Sequence, residues 1–219
     1  MVLNYEDYLL VIWEYSESIG KASEADISRR LKITLPTVNE YIGKLAGMGL
    51  VEKNGREIRL TRSGKKVTVP VVRAHRIAEV FALKFLEVEW EEVHSAVMDL
   101  EHLFSGTYGD NLYKHLGYPE RCPHGNPIGI TAKGSRITPV SAAQGEYVLD
   151  RITLELHDTL SKLADISAFP GTRVRLYREG GVAALENDQG KVSLTDVENH
   201  SIRLRKPDAG PRKVAPRTR

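Results

Sequence analysis

The middle of the sequence carries imidazole, carboxylate and thioether side chains at helical spacing: His75, Glu79, His94, Met98, Glu101 and His102. Residues three or four apart share one face of an α-helix, so these side chains should converge. Imidazole and carboxylate together suit Fe(II), Mn(II), Co(II) and Zn(II), and a thioether shifts the preference toward softer or later metals. We therefore predict a divalent transition-metal site. Packing or surface roles for the individual histidines are the alternative.

Two long helical patterns would position these residues. Apolar residues recur on almost every turn from 67 to 86, and a second helical pattern runs from 91 to 104. A shorter helix is predicted around 110–116. Residues 121–139 are rich in Pro and Gly, which is typical of a connection. The central part of the chain is therefore predicted to be helical.

The N-terminal part predicts helix, short helix, turn, helix and hairpin, over residues 4–18, 23–32, 33–36, 37–45 and 50–60. Asn54-Gly55 is a strong hairpin signal. This order is that of a winged helix-turn-helix, in which the helix after the turn enters the major groove while the hairpin follows the phosphates. Residues 27–66 contain ten Lys or Arg and three Glu, a net charge of +7. Such a charge favours a nucleic-acid partner; a solvated basic face is the alternative.

The C-terminal part changes to short alternating runs separated by turns. Five short strands are predicted at 147–154, 172–177, 182–185, 191–195 and 202–204, with a helical segment near 158–163. Such a pattern indicates a small β-barrel. The basic tail that follows has no apolar pattern and is predicted to be disordered.

Composition bounds the class of protein. The 219 residues carry a net charge of only +2, but this is the sum of a basic, an acidic and a basic block. No stretch approaches the roughly 18 apolar residues of a membrane helix, so we expect no membrane insertion and no secretion. The single cysteine, Cys122, cannot form an intrachain disulfide and fits a reducing cytoplasm.

Four runs of residues together resemble the diphtheria toxin repressor family of metal-dependent transcriptional repressors: 73–81, 90–94, 98–102 and 122–128. The resemblance implies an α+β chain with an N-terminal winged helix-turn-helix, an all-α dimerisation and metal-binding domain, and a C-terminal SH3-like small β-barrel. The corresponding ranges are 1–72, 73–140 and 141–206, followed by the basic tail 207–219.

The resemblance also implies two metal sites. The first has further ligands in the SH3-like domain and matches His75, Glu79 and His94, with Glu155 and Asp150 as candidates for the remainder. The second, activating site matches Asp7, Met98, Glu101 and His102. Iron-type members usually have Met and Cys where this chain has Asp7 and Met98, and manganese-type members have Asp and Glu. The SH3-like domain is commoner in iron-type members, which favours Fe(II), with Mn(II) as the alternative.

The DNA-facing residues are also implied by the resemblance. Thr34, Pro36, Thr37 and Glu40 occupy the positions of the turn and the recognition helix. Glu40 replaces the Gln usual in the family, and a carboxylate can accept a hydrogen bond from cytosine N4 but repels phosphate. Lys44, Arg56 and Arg59 are interpreted as phosphate contacts, which give affinity rather than sequence choice.

The function predicted is that of a cytoplasmic, metal-activated repressor that binds double-stranded operator DNA as a homodimer and controls metal-homeostasis genes. Co(II), Ni(II) or Zn(II) are expected to substitute in vitro. No enzymatic activity, small-molecule substrate or membrane partner is expected. The alternatives are a metal-independent winged-helix regulator and a metal-dependent hydrolase, since His, Glu and a divalent ion also build catalytic sites.

Overall fold

The computed structural model of the protein describes residues 4–98, 100–129 and 134–207. Its N-terminal part consists of three helices and a hairpin: α1 (Tyr5–Ile19), α2 (Glu24–Leu31), α3 (Leu35–Gly47), β1 (Val51–Asn54) and β2 (Glu57–Leu60). Asn4, Ser23 and Thr34 cap the three helices with their side chains, which satisfies amide donors that have no partner inside a helix. The predicted order of elements is confirmed.

The three helices pack through one apolar core. Its members are buried along one face of each helix and on the inward side of the hairpin, and the Tyr8 and Tyr41 rings stack at 4.5 Å between centroids. Leu154 from the C-terminal part is buried in the same core. The recognition helix α3 is therefore tied to α1 by apolar burial, the main favourable contribution to folding.

The long helix α4 (Arg62–Phe85) connects the N-terminal part to the rest of the chain. It begins five residues before the predicted start at residue 67, because Thr61 caps it by accepting the amide of Gly64 at 2.9 Å. Gly64 itself packs directly on the backbone: a Cβ at this position would lie 1.9 Å from the carbonyl oxygen of Leu50. The start of α4 therefore packs tightly against the backbone at Leu50, between α3 and β1.

The helix predicted over 91–104 is wrong as a single element. The structure has a short helix α5 (Val93–Val97) and a separate 3₁₀ helix (Glu101–Phe104), followed by α6 (Gly106–His115). In one continuous helix His94, Glu101 and His102 would share a face. The break lets His94 point toward one group of partners and the 3₁₀ helix toward another.

The C-terminal part is a five-stranded antiparallel sheet in the order β6-β5-β4-β3-β7. Its elements are β3 (Gly145–Ile152), α7 (His157–Asp165), β4 (Arg173–Glu179), β5 (Val182–Asn187), β6 (Gly190–Ser193), α8 (Asp196–Ser201) and β7 (Ile202–Arg205). All five strands were expected near these positions. Helix α8 was not, although the Thr195–Glu198 capping box that begins it is a recognisable start signal.

This sheet lies against the C-terminal end of α1. Arg203 on β7 donates to the carbonyl oxygen of Glu17 at 2.8 Å, and the hydroxyls of Ser18 and Thr153 are 2.8 Å apart. A cation at the end of a helix offsets the unpaired carbonyls there. No helix of the described residues is long and apolar enough to cross a membrane. From residue 208 the predicted basic tail lies outside the described residues.

Candidate metal centres and DNA-binding face

The first candidate site joins the N-terminal and central parts of the chain. Asp7 on α1 lies beside Glu101 and His102 of the 3₁₀ helix, and their ligand atoms are all within 4.8 Å of one another. His102 Nε2 is 3.2 Å from Asp7 Oδ1, and the backbone amide of Asn4 donates to Asp7 Oδ2 at 2.6 Å. The capping box that begins α1 therefore also orients the carboxylate of Asp7.

Of the four residues predicted for this site, the structure brings three together. Met98, the fourth, is half-buried at the C-terminal end of α5, three positions before the 3₁₀ helix, and its role as a ligand stays a prediction. Glu6 also contacts the ring of His102, at 3.2 Å from Nδ1, although its side chain is 30% exposed. Asp7, by contrast, is 1% exposed.

The electrostatics of this group favour a cation. Burial raises the pKa of Asp7, and the hydrogen bond from Asn4 and the nearby His102 lower it only in part. Glu101 is also buried; its Oε2 contacts His75, whereas its Oε1 has no hydrogen-bond partner among the described residues. A buried carboxylate oxygen without a partner is costly, and a divalent cation would satisfy it. The three residues therefore fit a metal ion.

A second candidate site lies on the other side of His75. Its ligand atoms come from Glu14 on α1, His75 on α4, His94 on α5 and Glu155 after β3. His94 Nδ1 is 2.7 Å from Glu155 Oε2, 3.0 Å from His75 Nε2 and 3.7 Å from Glu14 Oε1. The structure brings His75, His94 and Glu155 together at this position. Glu14 was not among the residues predicted from the sequence.

Three further residues extend this pocket, two of which were also missed. Glu79, Cys122, His124 and Glu155 form a group within the same 4.8 Å limit. His124 Nδ1 is 3.1 Å from Glu79 Oε1 and 3.1 Å from Glu155 Oε2. Asp150, the other candidate in the C-terminal part, instead accepts the amide of Ser135 at 2.7 Å. It belongs to none of the ligand groups found among the described residues.

The segment after Gly117 folds so that Cys122 and His124 face this pocket. Cys122 donates its amide to Asn126 at 2.8 Å and accepts that of Gly125 at 2.9 Å, which closes a tight turn. Gly125 has φ +85°, and a Cβ there would lie 2.4 Å from the carbonyl oxygen of Asp150. Glycine is required here both for the left-handed backbone and for the close approach.

Charge is buried throughout this pocket. Burial disfavours a charged His75, but the carboxylates of Glu101 and Glu79 together outweigh it and hold the pKa of His75 well above its usual range. Burial likewise opposes ionisation of Glu79, yet His124 and His75 together hold the pKa of Glu79 well below its usual range. Burial raises the pKa of Cys122 to about 12. The Oε2 atom of Glu79 has no partner among the described residues, so this set, too, fits a cation.

A residue of the DNA-binding part forms the rim of the second site. The guanidinium of Arg30, on α2, lies 3.1 Å from Glu14 Oε2 and 2.5 Å from His94 Nε2. The side chain of Arg30 is only 12% exposed. The pocket therefore contacts α1 and α2 as well as the central helices and the C-terminal sheet.

The residues predicted to face DNA are all exposed, five of them at or on α3 and two at the hairpin: Thr34, Pro36, Thr37, Glu40, Lys44, Arg56 and Arg59. Thr34 also caps α3, and Pro36 lies in its first turn, where no amide donor is lost. Glu40 pairs with Lys44 at 2.7 Å, and the hydrogen bond from Lys44 lowers the pKa of Glu40. Such exposed pairs are weak, so both side chains remain available to a partner.

Comparison with known proteins identifies the family. Residues 1–57 match the iron-dependent repressor N-terminal DNA-binding domain, and residues 61–129 match the iron-dependent repressor metal-binding and dimerisation domain. The iron-dependent repressor IdeR of Mycobacterium tuberculosis is 29% identical over 222 residues, covering 92% of this chain and 96% of that protein. The diphtheria toxin repressor of Corynebacterium diphtheriae is 26% identical over 215 residues, covering 91% and 95%.

Solved structures agree with this assignment. The IdeR of T. acidophilum has a TM-score of 0.84 at 27% identity, covering 94% of this chain and 100% of that one. The manganese regulator SloR has a TM-score of 0.82 at 29% identity with the same coverage. The resemblance inferred from the sequence is confirmed: this chain belongs to the diphtheria toxin repressor family of metal-dependent transcriptional repressors.

Proposed function

We propose that this protein is a repressor that binds operator DNA as a homodimer when a divalent ion, Fe(II) in the first place, occupies its metal sites, and that it controls metal-homeostasis genes. The observation that carries the proposal is the group formed by Asp7, Glu101 and His102. Asp7 belongs to the DNA-binding part of the chain, whereas the other two belong to the metal-binding part.

An ion bound by this group would link the two parts. In a dimer both recognition helices must meet major grooves about 34 Å apart, so the orientation of α1 relative to the central helices matters for DNA binding. A ligand shifts a conformational equilibrium only through different affinities for the two states. An ion that binds Asp7 together with the 3₁₀ helix would have a higher affinity for the conformation in which the two are adjacent, because only that conformation supplies all of its ligands.

The donor set supports Fe(II) and Mn(II). Carboxylate and imidazole are the ligands of harder divalent ions, while the thioether of Met98 would favour a softer or later one. Its relatives include the iron-dependent repressor IdeR and, among solved structures, the manganese regulator SloR. Fe(II) is therefore our proposal and Mn(II) the alternative, with Co(II), Ni(II) and Zn(II) as substitutes in vitro.

We assign Asp7, Met98, Glu101 and His102 to the activating site, and His75, Glu79, His94 and Glu155 to the second site, with Glu14 added from the structure. The bound ion would supply positive charge to buried carboxylates and hold the elements that carry them. In the second site this links α1 to the C-terminal sheet, since Glu14 and Glu155 both contact His94.

For DNA we propose that α3 enters the major groove and that the hairpin follows the phosphate backbone. Thr34, Pro36, Thr37 and Glu40 would face the base edges, and Lys44, Arg56 and Arg59 the phosphates. The exposure of all seven side chains supports this. Glu40 would accept from cytosine N4, which predicts a preference for C at one operator position.

For the homodimer we propose an apolar surface of the central part as the contact with a second copy. Large apolar side chains are exposed at the end of α4, on the 3₁₀ helix and around α6: Phe85, Leu86, Leu103, Tyr108 and Tyr118. All five fall within the range that matches a metal-binding and dimerisation domain, 61–129. Contiguous exposed apolar residues are typical of protein contacts.

We retain the division into 1–72, 73–140 and 141–206, with a basic tail at 207–219, although α4 continues across the first boundary. The five-stranded C-terminal sheet supports an SH3-like small β-barrel that supplies Glu155. We propose no catalytic role, no small-molecule substrate and no membrane partner. We propose a cytoplasmic location, because the operator DNA that the protein would bind is in the cytoplasm.

The test is operator binding under anaerobic conditions, with an operator duplex selected from a random pool. We expect chelator-treated protein to bind weakly, and Fe(II) or Mn(II) to tighten binding by at least tenfold. His102→Gln should abolish this gain, whereas the matched control His157→Gln should retain it, because His157 lies exposed on α7 outside the ligand groups. Equally tight binding with and without chelator would instead support a metal-independent regulator.

A further inference from the structure

A cleft separate from both metal sites lies between α1 and α4. Its volume is about 190 Å³, and it is lined by residues of α1, of α4 and of the segment 127–129. None of these residues belongs to a ligand group found among the described residues. A cavity of about 150 Å³ is large enough to bind benzene, so a small organic molecule would fit here.

Most of the wall of this cleft is apolar. The aliphatic side chains that line it are Val69, Val72, Pro127 and Ile128. Trp13 adds its indole ring, which has a fixed position because Nε1 donates to Glu17 Oε2 at 3.2 Å. Removal of apolar surface from water is favourable, so the part of a ligand that fills the cleft would be apolar.

The charged groups at the cleft leave an excess of positive charge. Arg76 is held in place, since it donates to the carbonyl oxygen of Pro127 at 2.7 Å and to Glu17 Oε2 at 3.2 Å. Glu17 also pairs with Arg151 of β3, whose buried Nε has no hydrogen-bond partner among the described residues. One carboxylate therefore serves two guanidinium groups, and a further anion nearby would be attracted.

Arg73 is the residue placed to bind that anion. Its Nη1 lies 2.9 Å from Asp110 Oδ1, but the side chain of Asp110 is 66% exposed, and exposed ion pairs are weak. The guanidinium of Arg73 also lies over the ring of Tyr113, 4.9 Å from its centre. A guanidinium has five N–H donors and binds a carboxylate through two of them, so Arg73 can bind a second carboxylate beside Asp110 or in its place.

We propose that the cleft between α1 and α4 binds a small carboxylate with a compact apolar body. The carboxylate would lie on Arg73, and the apolar body would lie against Trp13, Val72 and Ile128. Pockets for drug-sized ligands measure about 300–1,000 Å³, so the occupant of this cleft is smaller than those ligands. The inference goes beyond the metal-dependent repressor and does not depend on it.

A ligand in this position would connect two parts of the chain. Trp13 belongs to the range that matches the DNA-binding domain, 1–57, and Arg73 to the range that matches the metal-binding domain, 61–129. Binding would therefore stabilise the contact between α1 and α4 without any metal ion. At ten times its dissociation constant, the ligand should raise Tm by about 3–6 °C in the presence of chelator.

The test is equilibrium dialysis of the full, unmodified chain in chelator against radiolabelled benzoate, a carboxylate on a single ring. We expect one benzoate per protomer, with half-saturation below about 1 mM, which is within reach of a ligand of that size. Benzamide has the same ring and no charge, and it should bind at least tenfold more weakly in a competition experiment.

Two variants distinguish the anchor from the apolar wall. Arg73→Gln should weaken benzoate binding at least tenfold and change benzamide binding less than twofold. The matched control is Arg62→Gln, on an exposed residue in the first turn of the same helix and outside the cleft; it should change neither. Val69→Phe would fill the cleft from a half-buried position and should weaken the binding of both probes at least tenfold.

Three results would overturn the proposal, and each would leave the metal-dependent function intact. Equal affinity for benzoate and benzamide would show that no cation binds the carboxylate. Unchanged benzoate affinity in Arg73→Gln would show that Arg73 is not the anchor. Absence of saturable benzoate binding to the unmodified chain would remove the site itself, and that measurement stands even where a variant fails to fold.

Discussion

Replacement of Asp7 by Asn distinguishes the effect of the Asp7 carboxylate on the stability of the metal-free protein from its effect on the stability of the metal-bound protein. Burial raises the pKa of Asp7, so the folded protein disfavours its ionised form relative to the unfolded chain. The stability associated with such a raised pKa is present at low pH and is lost as the pH rises through the folded pKa. Asn is neutral at every pH, and its amide oxygen can still accept from Asn4. Without metal at pH 7, Asp7→Asn should therefore be at least as stable as the wild type.

With metal the order should reverse. An ion at 100 times its dissociation constant stabilises the folded state by about 2.7 kcal/mol. For a chain of this size each kcal/mol corresponds to roughly 2–4 °C in Tm, so binding at the activating site should raise Tm by about 5–11 °C. Asn lacks the charge of the Asp7 carboxylate, and we expect most of this shift to disappear.

The assay is thermal unfolding followed by circular dichroism, with chelator or with excess Mn(II), in a Glu155→Gln background that disables the second pocket. Glu6→Gln is the matched control, because Glu6 is the adjacent residue and contacts the same histidine, His102, but is partly exposed. It should keep the metal-induced shift. An Asp7→Asn protein that kept the whole metal-induced shift, or that unfolded well below the wild type in chelator, would contradict this expectation.

Three further predictions concern pH, the domain contact and packing. Glu101 and Glu79 hold the pKa of His75 well above its usual range, so in chelator the urea midpoint should fall as the pH rises above about 6.5, the usual pKa of histidine, while Mn(II) affinity, measured by titration calorimetry, rises; a midpoint that rises with pH would contradict this. The carboxylate of Glu17 pairs with Arg76 at 3.2 Å and with Arg151 of β3. Glu17→Gln should lower the unfolding free energy in urea by about 1–3 kcal/mol, less than the roughly 3–5 kcal/mol for a fully buried pair, because the Glu17 side chain is 23% exposed; no loss would show that these two arginine contacts contribute nothing. Gly64→Ala should cost about 3 kcal/mol or more in the same assay, because its Cβ would overlap the carbonyl oxygen of Leu50; a cost below about 1 kcal/mol would disprove the close contact.

Local signals predicted much of the fold. The helical periodicity of residues 4–18 and 37–45 and the turn signal at Asn54-Gly55 depend only on neighbouring residues, and the structure has the corresponding elements. The second helical pattern of the central part failed for a physical reason. Periodicity favours one continuous helix, but His94 has its partners in the second pocket while His102 meets α1, and one straight helix face cannot serve both.

The residues of the candidate sites also divide into those that helical spacing could reveal and those that depend on contacts between distant parts of the chain. His75 and Glu79 could be paired from their spacing because they lie one turn apart on α4. Glu14 lies seven residues after Asp7, two turns along the same face of α1, so that periodicity could also have found it. Cys122 and His124 lie in a segment without periodicity, and their direction depends on a turn around Gly125 and on its packing against β3. Contacts of that kind form only in the folded chain.

Helix α1 explains how two separate ligand groups can act on one DNA-binding surface. On α1, Asp7 lies beside the 3₁₀ helix and Glu14, two turns later, lies beside His94. The same helix contacts the recognition helix α3 through the stacked rings of Tyr8 and Tyr41. A packed helix moves as one body, since close-packed interiors transmit displacement instead of absorbing it. An ion in either group that includes an α1 residue would thus restrain the same helix and, through it, α3. An ion held only by residues outside α1 would stabilise the protein without that restraint, so metal occupancy and DNA affinity need not rise together.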